Sequence, residues 1–287
     1  MPEFNPIKQI VYANEHPMGP MRVRQPLPEE GIEQVGPFVL LHHAAPRNYE
    51  ANSEPPRLGP HPHRGFEPVT FVFEGGIFHR DSMGNEGSIG DGDVQWMTAG
   101  SGILHSEGPS PEFLKKGGTL ELIQLWINVP AKDKMVEPKY QDIKAADMPK
   151  VFDDAKDKLR LVAGEFNGKK GPASTFTDMI AIMGDMEQGT EVELSFPEGQ
   201  ETLIYILNGT VEINKEKPVE KFHMITFSET KGKIHLAALT DSRLLILNAA
   251  PINEPVVAYG PFVMNSMDEI HKAYADYQSG KFGTLTH

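Results

Sequence analysis

Four side chains in two short stretches have the types and spacing of metal ligands. His61 and His63 stand in HPHRGFE (61–67), and His105 and Glu107 stand in GILHSE (102–107). Alternate residues of an extended chain point to the same side, so each stretch presents two donors to one face. Should the two stretches neighbour each other in a barrel, four donors converge. Three imidazoles and one carboxylate suit Fe(II), Mn(II), Ni(II), Cu(II) or Zn(II). Four protein ligands on an octahedral ion leave two positions open, an arrangement of catalysis or sensing more than of structural cross-linking. A lone HPH pair reads more readily as a polar turn than as a ligand set; two such pairs in one strand-rich block, each beside turn-forming glycines, favour the metal.

Other polar groups nearby have plainer readings. Glu67 lies four residues after His63 and reads as readily as a surface or hairpin glutamate as a group beside the ligands. Arg64 should point to the other face of its strand and form a salt bridge. His79, in IFHRDS, reads as an exposed histidine near a turn. Adjacent strand residues face opposite ways, so at most one of His42 and His43 points inward. Trp96 and Met97 are expected to pack a barrel wall, and Gly100 and Gly102 to permit the turn that positions His105.

The elements that must position these groups read as strands. PFVLL (37–41), VTFVF (69–73), VQWM (94–97) and LELIQLWINV (120–129) are rich in β-branched and aromatic residues, with turn clusters between them. A second strand-rich block spans LRLVAG (159–164) to LLILNAA (244–250), after a charged stretch at 131–158 that reads as a linker. One helix is expected at 266–279, opened by the capping pair Ser266 and Glu269 and stopped at Gly280. A faint repeat pairs Glu67 and Gly75 with Glu201 and Gly209, and its register puts Ser195 and Pro197 where the first block has His61 and His63.

Composition narrows the function. The 287 residues contain 27 Gly and 24 Pro, which favours many turns and short strands. The absence of cysteine excludes disulfides, thiolate nucleophiles and Cys-ligated metals. A net charge of −13 disfavours direct nucleic-acid binding. The first residues carry no signal-peptide pattern and no apolar run is long enough for a bilayer, so a cytoplasmic protein without membrane association is expected.

GPHPHRGFEPVTFVFEGG (59–76) and GDGDVQWMTAGSGILHSE (90–107) resemble the two metal motifs of the pirin family, within the cupin superfamily. LVAGEFNGKKGPA (161–173) and the stretch from 254 to 283 are similar to pirin segments as well. The resemblance implies an all-β bicupin: two jelly-roll-type β-barrels in one chain, with a short C-terminal helix and the metal in the N-terminal barrel. The corresponding boundaries are a metal-binding domain at 1–135, a linker at 136–158 and a metal-free cupin domain at 159–287. The family pattern places the ligands on His61, His63, His105 and Glu107, with iron the usual metal, which implies that Glu67 orients a ligand histidine or a bound water rather than ligating. Many pirins carry an acidic residue where this chain has His42 and His43, which leaves the pocket rim open.

The resemblance implies a quercetin 2,3-dioxygenase-like oxidoreductase, taking a flavonol-like aromatic substrate and O2, with Glu107 as general base. The alternative is an iron-dependent redox sensor or transcription co-regulator acting through a protein partner, in which case the nucleus joins the cytoplasm as a location. A monomer is the expected state.

Overall fold

The computed structural model describes residues 4–19, 21–154, 156–227 and 232–285, so the outermost ends of the two expected domains lie outside the described residues. The chain is strand-dominated, as expected of an all-β protein. In order it forms β1 (Ile7–Tyr12), β2 (Asn14–Met18), β3 (Met21–Leu27), β4 (Phe38–Tyr49), β5 (Leu58–His63), β6 (Phe66–Glu74), β7 (Ile77–Asp81) and β8 (Glu86–Ile89). Next come β9 (Val94–Thr98), β10 (Ile103–Pro109), the short helix α1 (Pro111–Lys116), β11 (Gly118–Asn128) and β12 (Lys139–Ile143). The second half contains β13 (Arg160–Ala163), β14 (Glu165–Phe166), β15 (Lys169–Lys170), β16 (Met179–Met186), β17 (Glu191–Leu194) and β18 (Glu201–Asn208). It continues through β19 (Thr210–Ile213), β20 (Lys217–Glu220), β21 (His223–Phe227), β22 (Ile234–Ala238), β23 (Ser242–Ala249), β24 (Val257–Tyr259), β25 (Phe262–Met264) and α2 (Met267–Gln278).

Two compact units result, and they do not follow the chain in simple order. One comprises Glu15–Val23, Phe38–Lys144 and Ile252–His287; the other comprises Met1–Asn14, Arg24–Pro37 and Ala145–Pro251. The boundaries expected at 1–135 and 159–287 put the first residues with the metal-binding half and α2 with the second half. The structure assigns them the other way, because β1 pairs with β21 while the tail carrying α2 packs beside β6. Part of the stretch read as a linker is also a strand: β12 runs antiparallel to β9, from Lys139 opposite Thr98 to Ile143 opposite Val94.

The first unit is built from a seven-stranded sheet, β12-β9-β6-β11-β4-β3-β2, and a four-stranded sheet, β5-β10-β7-β8. The second has a six-stranded sheet, β1-β21-β18-β23-β16-β13, and a four-stranded sheet, β17-β22-β19-β20. Its core joins Ile204, Ile206, Ile225, Leu244 and Ile246 from the larger sheet to Leu194, Ile213 and Leu236 from the smaller. The strand β18 is buried over Thr202–Leu207, so its sequence reads as an unbroken apolar run rather than an alternating one.

The faint repeat has a structural counterpart. β6 and β18 each end at a glycine with positive φ, Gly75 at 92° and Gly209 at 83°, and another strand follows at once. The capping pair is also present: Glu269 N–H donates to Ser266 Oγ at 3.3 Å, and Asn265 N–H donates to Glu269 Oε2 at 2.8 Å.

Candidate metal centre

β5 and β10 lie side by side and antiparallel, with His105 opposite His61 and Ile103 opposite His63. Strand alternation then points all three imidazoles to one face. Their ring centroids are 4.2 Å apart for His61 and His105, and 4.9 Å for His63 with either neighbour. One ring nitrogen from each lies within 4.8 Å of the others, so the three can hold a metal ion. The turn before β10 is made by Gly100 and Gly102, both at positive φ (50° and 127°). A Cβ at Gly100 would collide with the Val136 carbonyl, and one at Gly102 with the Phe282 ring.

Hydrogen bonds of two of the rings fix which nitrogens are available. His61 Nδ1–H donates to the Gly59 carbonyl at 2.8 Å, and His63 Nδ1–H donates to the Pro261 carbonyl at 3.3 Å. Each leaves Nε2 for a ligand. His105 is buried, and neither of its ring nitrogens has a hydrogen-bond partner. Two orphaned nitrogens in a buried ring would be costly without a ligand, and this fits a bound cation. Burial also lowers the pKa of all three: His63 falls to about 3, His61 is lowered, and His105 lies well below the ordinary value. Neutral imidazole is the ligating form.

Glu107 stands outside this three-nitrogen group but beside it, with Oε1 3.9 Å from His105 Nδ1 and a side chain only 13% exposed. The β5–β10 register shifts between His105 and Glu107, so the ladder is irregular where the carboxylate leaves it. Burial pushes the Glu107 carboxyl up to about 7, against a hydrogen bond from Thr70 that favours its ionised form.

Several groups around the site had no signal in the sequence. Pro261 reaches His63 from 198 residues away. It is held there by the tail: Val263 N–H donates to the Arg64 carbonyl at 3.1 Å. The buried Lys134 ammonium donates to Gly65 O at 2.8 Å and to Val263 O at 3.0 Å. Arg64 makes the expected salt bridge, to Asp276 of α2 at 2.9 Å. Trp96 and Met97 are buried, as expected of wall residues.

Two assignments change. His79 is not exposed: it is buried, its ring stacks on Tyr140 with centroids 4.9 Å apart, and its Nδ1 and Nε2 lie against the Gln95 side-chain amide. β7 alternates, with His79 and Asp81 inward and Phe78 and Arg80 half-exposed, so its polar residues serve the interior. Glu67 does not reach the imidazoles. Phe66, which touches the His63 ring, and Thr70, which lines the cavity, occupy one face of β6, and Glu67 occupies the opposite face. There it accepts a hydrogen bond from Thr98 Oγ1 at 2.8 Å, and burial raises its carboxyl to about 7.

A cavity of about 440 Å³ opens over the site. His61, His63 and Glu107 form part of its lining, and Leu40, Leu58, Leu120, Leu122 and Trp126 supply apolar wall. His42 lines it too, whereas His43 is buried on the other face of β4 with Nε2 3.0 Å from Glu121 Oε1.

Comparison with known proteins agrees with this architecture. Residues 20–127 match the family model described as Pirin, and residues 182–283 match the Pirin C-terminal cupin domain. A Pseudomonas aeruginosa protein provisionally named a quercetin 2,3-dioxygenase is 40% identical over 251 residues, 87% of each chain. The crystal structure of a quercetin 2,3-dioxygenase from Acinetobacter baumannii superimposes with a TM-score of 0.91 at 40% identity, covering 99% of this chain and 100% of that one. At the level of fold, a bacterial pirin from Escherichia coli crystallised with nickel(II) matches at 20% identity and a TM-score of 0.67, covering 85% of this chain and 99% of its own. Two cupin domains matched in order, and an extended relative at 40% identity, show that the chain belongs to the pirin family.

Proposed function

We propose that the chain is a metal-dependent dioxygenase that opens a flavonol such as quercetin with O2, and that its metal is Fe(II). The observation that carries this reading is the placement of His61, His63 and His105, three neutral imidazoles converging at a largely apolar cavity of about 440 Å³. That volume is in the range of cavities that enclose small organic ligands. The names of the Pseudomonas and Acinetobacter relatives support the substrate class.

His61, His63 and His105 would hold the ion, with Glu107 as the fourth donor or as a free carboxylate beside it. The bound ion would supply Lewis acidity toward the substrate oxygens and a redox-active centre for O2. Glu107 is suited to take the proton of the flavonol 3-hydroxyl, because a base tuned near neutral pH both accepts and returns a proton readily. Thr70 steadies the carboxylate it touches once that group is ionised. Leu40, Leu122 and Trp126 exclude water from the planar ring system, which strengthens every polar contact inside.

Oxygen uptake by the Fe(II)-loaded chain with quercetin tests this reading, run beside a His105→Ala variant. Uptake by the wild type alone supports it. Confirmed iron binding without uptake would overturn it and favour a redox sensor working through a protein partner.

A further inference from the structure

Across β6, β11 and β4 the cavity wall carries one polar row between apolar ones, while Arg22, Arg47 and Tyr49 line the cavity elsewhere on β3 and β4. His42 of β4 is the register partner of Gln124 of β11, and Gln124 is the register partner of Thr70 of β6. Partners across an antiparallel ladder point to the same face. All three side chains line the cavity, and the rows on either side are apolar: Ala44 and Leu122 on one, Leu40 and Trp126 on the other.

The row is connected at its inner end. Thr70 Oγ1–H donates to Gln124 Oε1 at 2.9 Å, and the same hydroxyl lies against the Glu107 carboxylate. A hydroxyl has one proton to give. With that proton given to Gln124 Oε1, the side-chain NH2 of Gln124 remains to donate to a ligand. His42 is half-buried, and burial together with the nearby His16 lowers its pKa to about 4, so at neutral pH it is an uncharged ring able to donate or accept.

The geometry points to a second recognition site in this cavity, in which Gln124 and His42 hydrogen-bond a polar group at the far end of a flat aromatic substrate. Neighbouring strands are about 4.8 Å apart, so His42 stands about 10 Å from Thr70 along the row. A ligand whose metal-binding oxygens sit beside Glu107 would place a phenolic hydroxyl at its other end against His42. The assignment rests on the flavonol reading and narrows it to polyphenols hydroxylated at a distance from the metal-binding pair. Gln124 and His42 are specificity residues here, with no part in the chemical step.

The test is ligand binding without turnover. Anaerobic Fe(II)-loaded chain is titrated with 3-hydroxyflavone, 3,4′-dihydroxyflavone and 3,7-dihydroxyflavone, following ligand fluorescence. One of the two added hydroxyls is expected to tighten binding about five-fold over 3-hydroxyflavone, the contribution of one buried hydrogen bond. His42→Phe should bring that ratio close to one, and His42→Gln, which keeps a hydrogen-bonding group, should restore part of it. Equal affinity for all three ligands in the wild type would overturn the second site and leave the flavonol reading standing. So would a preference that persists in both His42→Phe and Gln124→Leu. Failure of 3-hydroxyflavone itself to bind would overturn the flavonol reading and this site with it.

Discussion

His61 and His105 face each other as register partners on neighbouring antiparallel strands, with their ring centroids 4.2 Å apart. His61 spends one nitrogen on the Gly59 carbonyl, whereas His105 is buried with no hydrogen-bond partner at either nitrogen. The pair is therefore asymmetric. His105 depends on a ligand more than His61 does.

His105→Leu should separate metal binding from folding. Removing an unsatisfied buried polar ring is expected to stabilise the metal-free chain by about 1–2 kcal/mol. The same change should weaken metal affinity by at least about 100-fold, since even supporting groups are worth 10- to 100-fold. Denaturant unfolding of metal-free protein and calorimetric metal titration give the two numbers. A destabilised metal-free variant would show that the ring is satisfied in a way not seen here.

The stability of the metal-free chain should fall in acid through the same imidazoles. His63 has a folded pKa of about 3 against an ordinary 6.5, and burial is the main cause. The unfolded chain takes up this proton below about pH 6.5, while the folded chain refuses it until pH 3. Stability is thus lost as pH falls through that window, by about 1.4 kcal/mol per unit for this one group. Unfolding midpoints of wild type and His63→Gln between pH 7 and 4 should converge as the pH drops.

Glu67 predicts the opposite slope. Its carboxyl is raised to about 7 in the fold, from 4.5, so its favourable contribution is complete below pH 4.5 and lost as pH rises toward 7. Glu67→Gln removes that loss and should stabilise the chain by about 3 kcal/mol at pH 8 and by little at pH 4. Metal affinity should not change, because Glu67 lies on the face of β6 away from the imidazoles. A large drop in metal affinity would restore the orienting role first expected for it.

Gly65→Ala should damage the site from outside it. Gly65 has φ of 84°, and a Cβ there would stand 2.6 Å from Met264 Sδ and overlap the Val263 carbonyl. Relief requires the tail to move, and the tail carries the Pro261 carbonyl that orients His63. The expected result is a loss of stability of about 2 kcal/mol or more and of metal affinity by about 10-fold. Thermal unfolding and metal titration of the variant measure both.

Local patterns along the chain specify the strand-rich class, the paired-donor spacing of His61, His63 and His105, the divergence of His42 from His43, and the capped helix. Each follows from a local period or a local cap. Packing between distant parts of the chain set the rest. It turned Glu67 away from the metal ligands, because Phe66 and Thr70 claim the cavity face of β6. It buried His79, because the barrel interior behind Glu107 is polar, so inward residues of β7 cannot be recognised by hydrophobicity. It carried Pro261 to His63 and aligned His42, Gln124 and Thr70 in one row, through contacts between residues far apart in the chain. Register between distant strands is set by whole-sheet packing, and no local pattern of residue types encodes it.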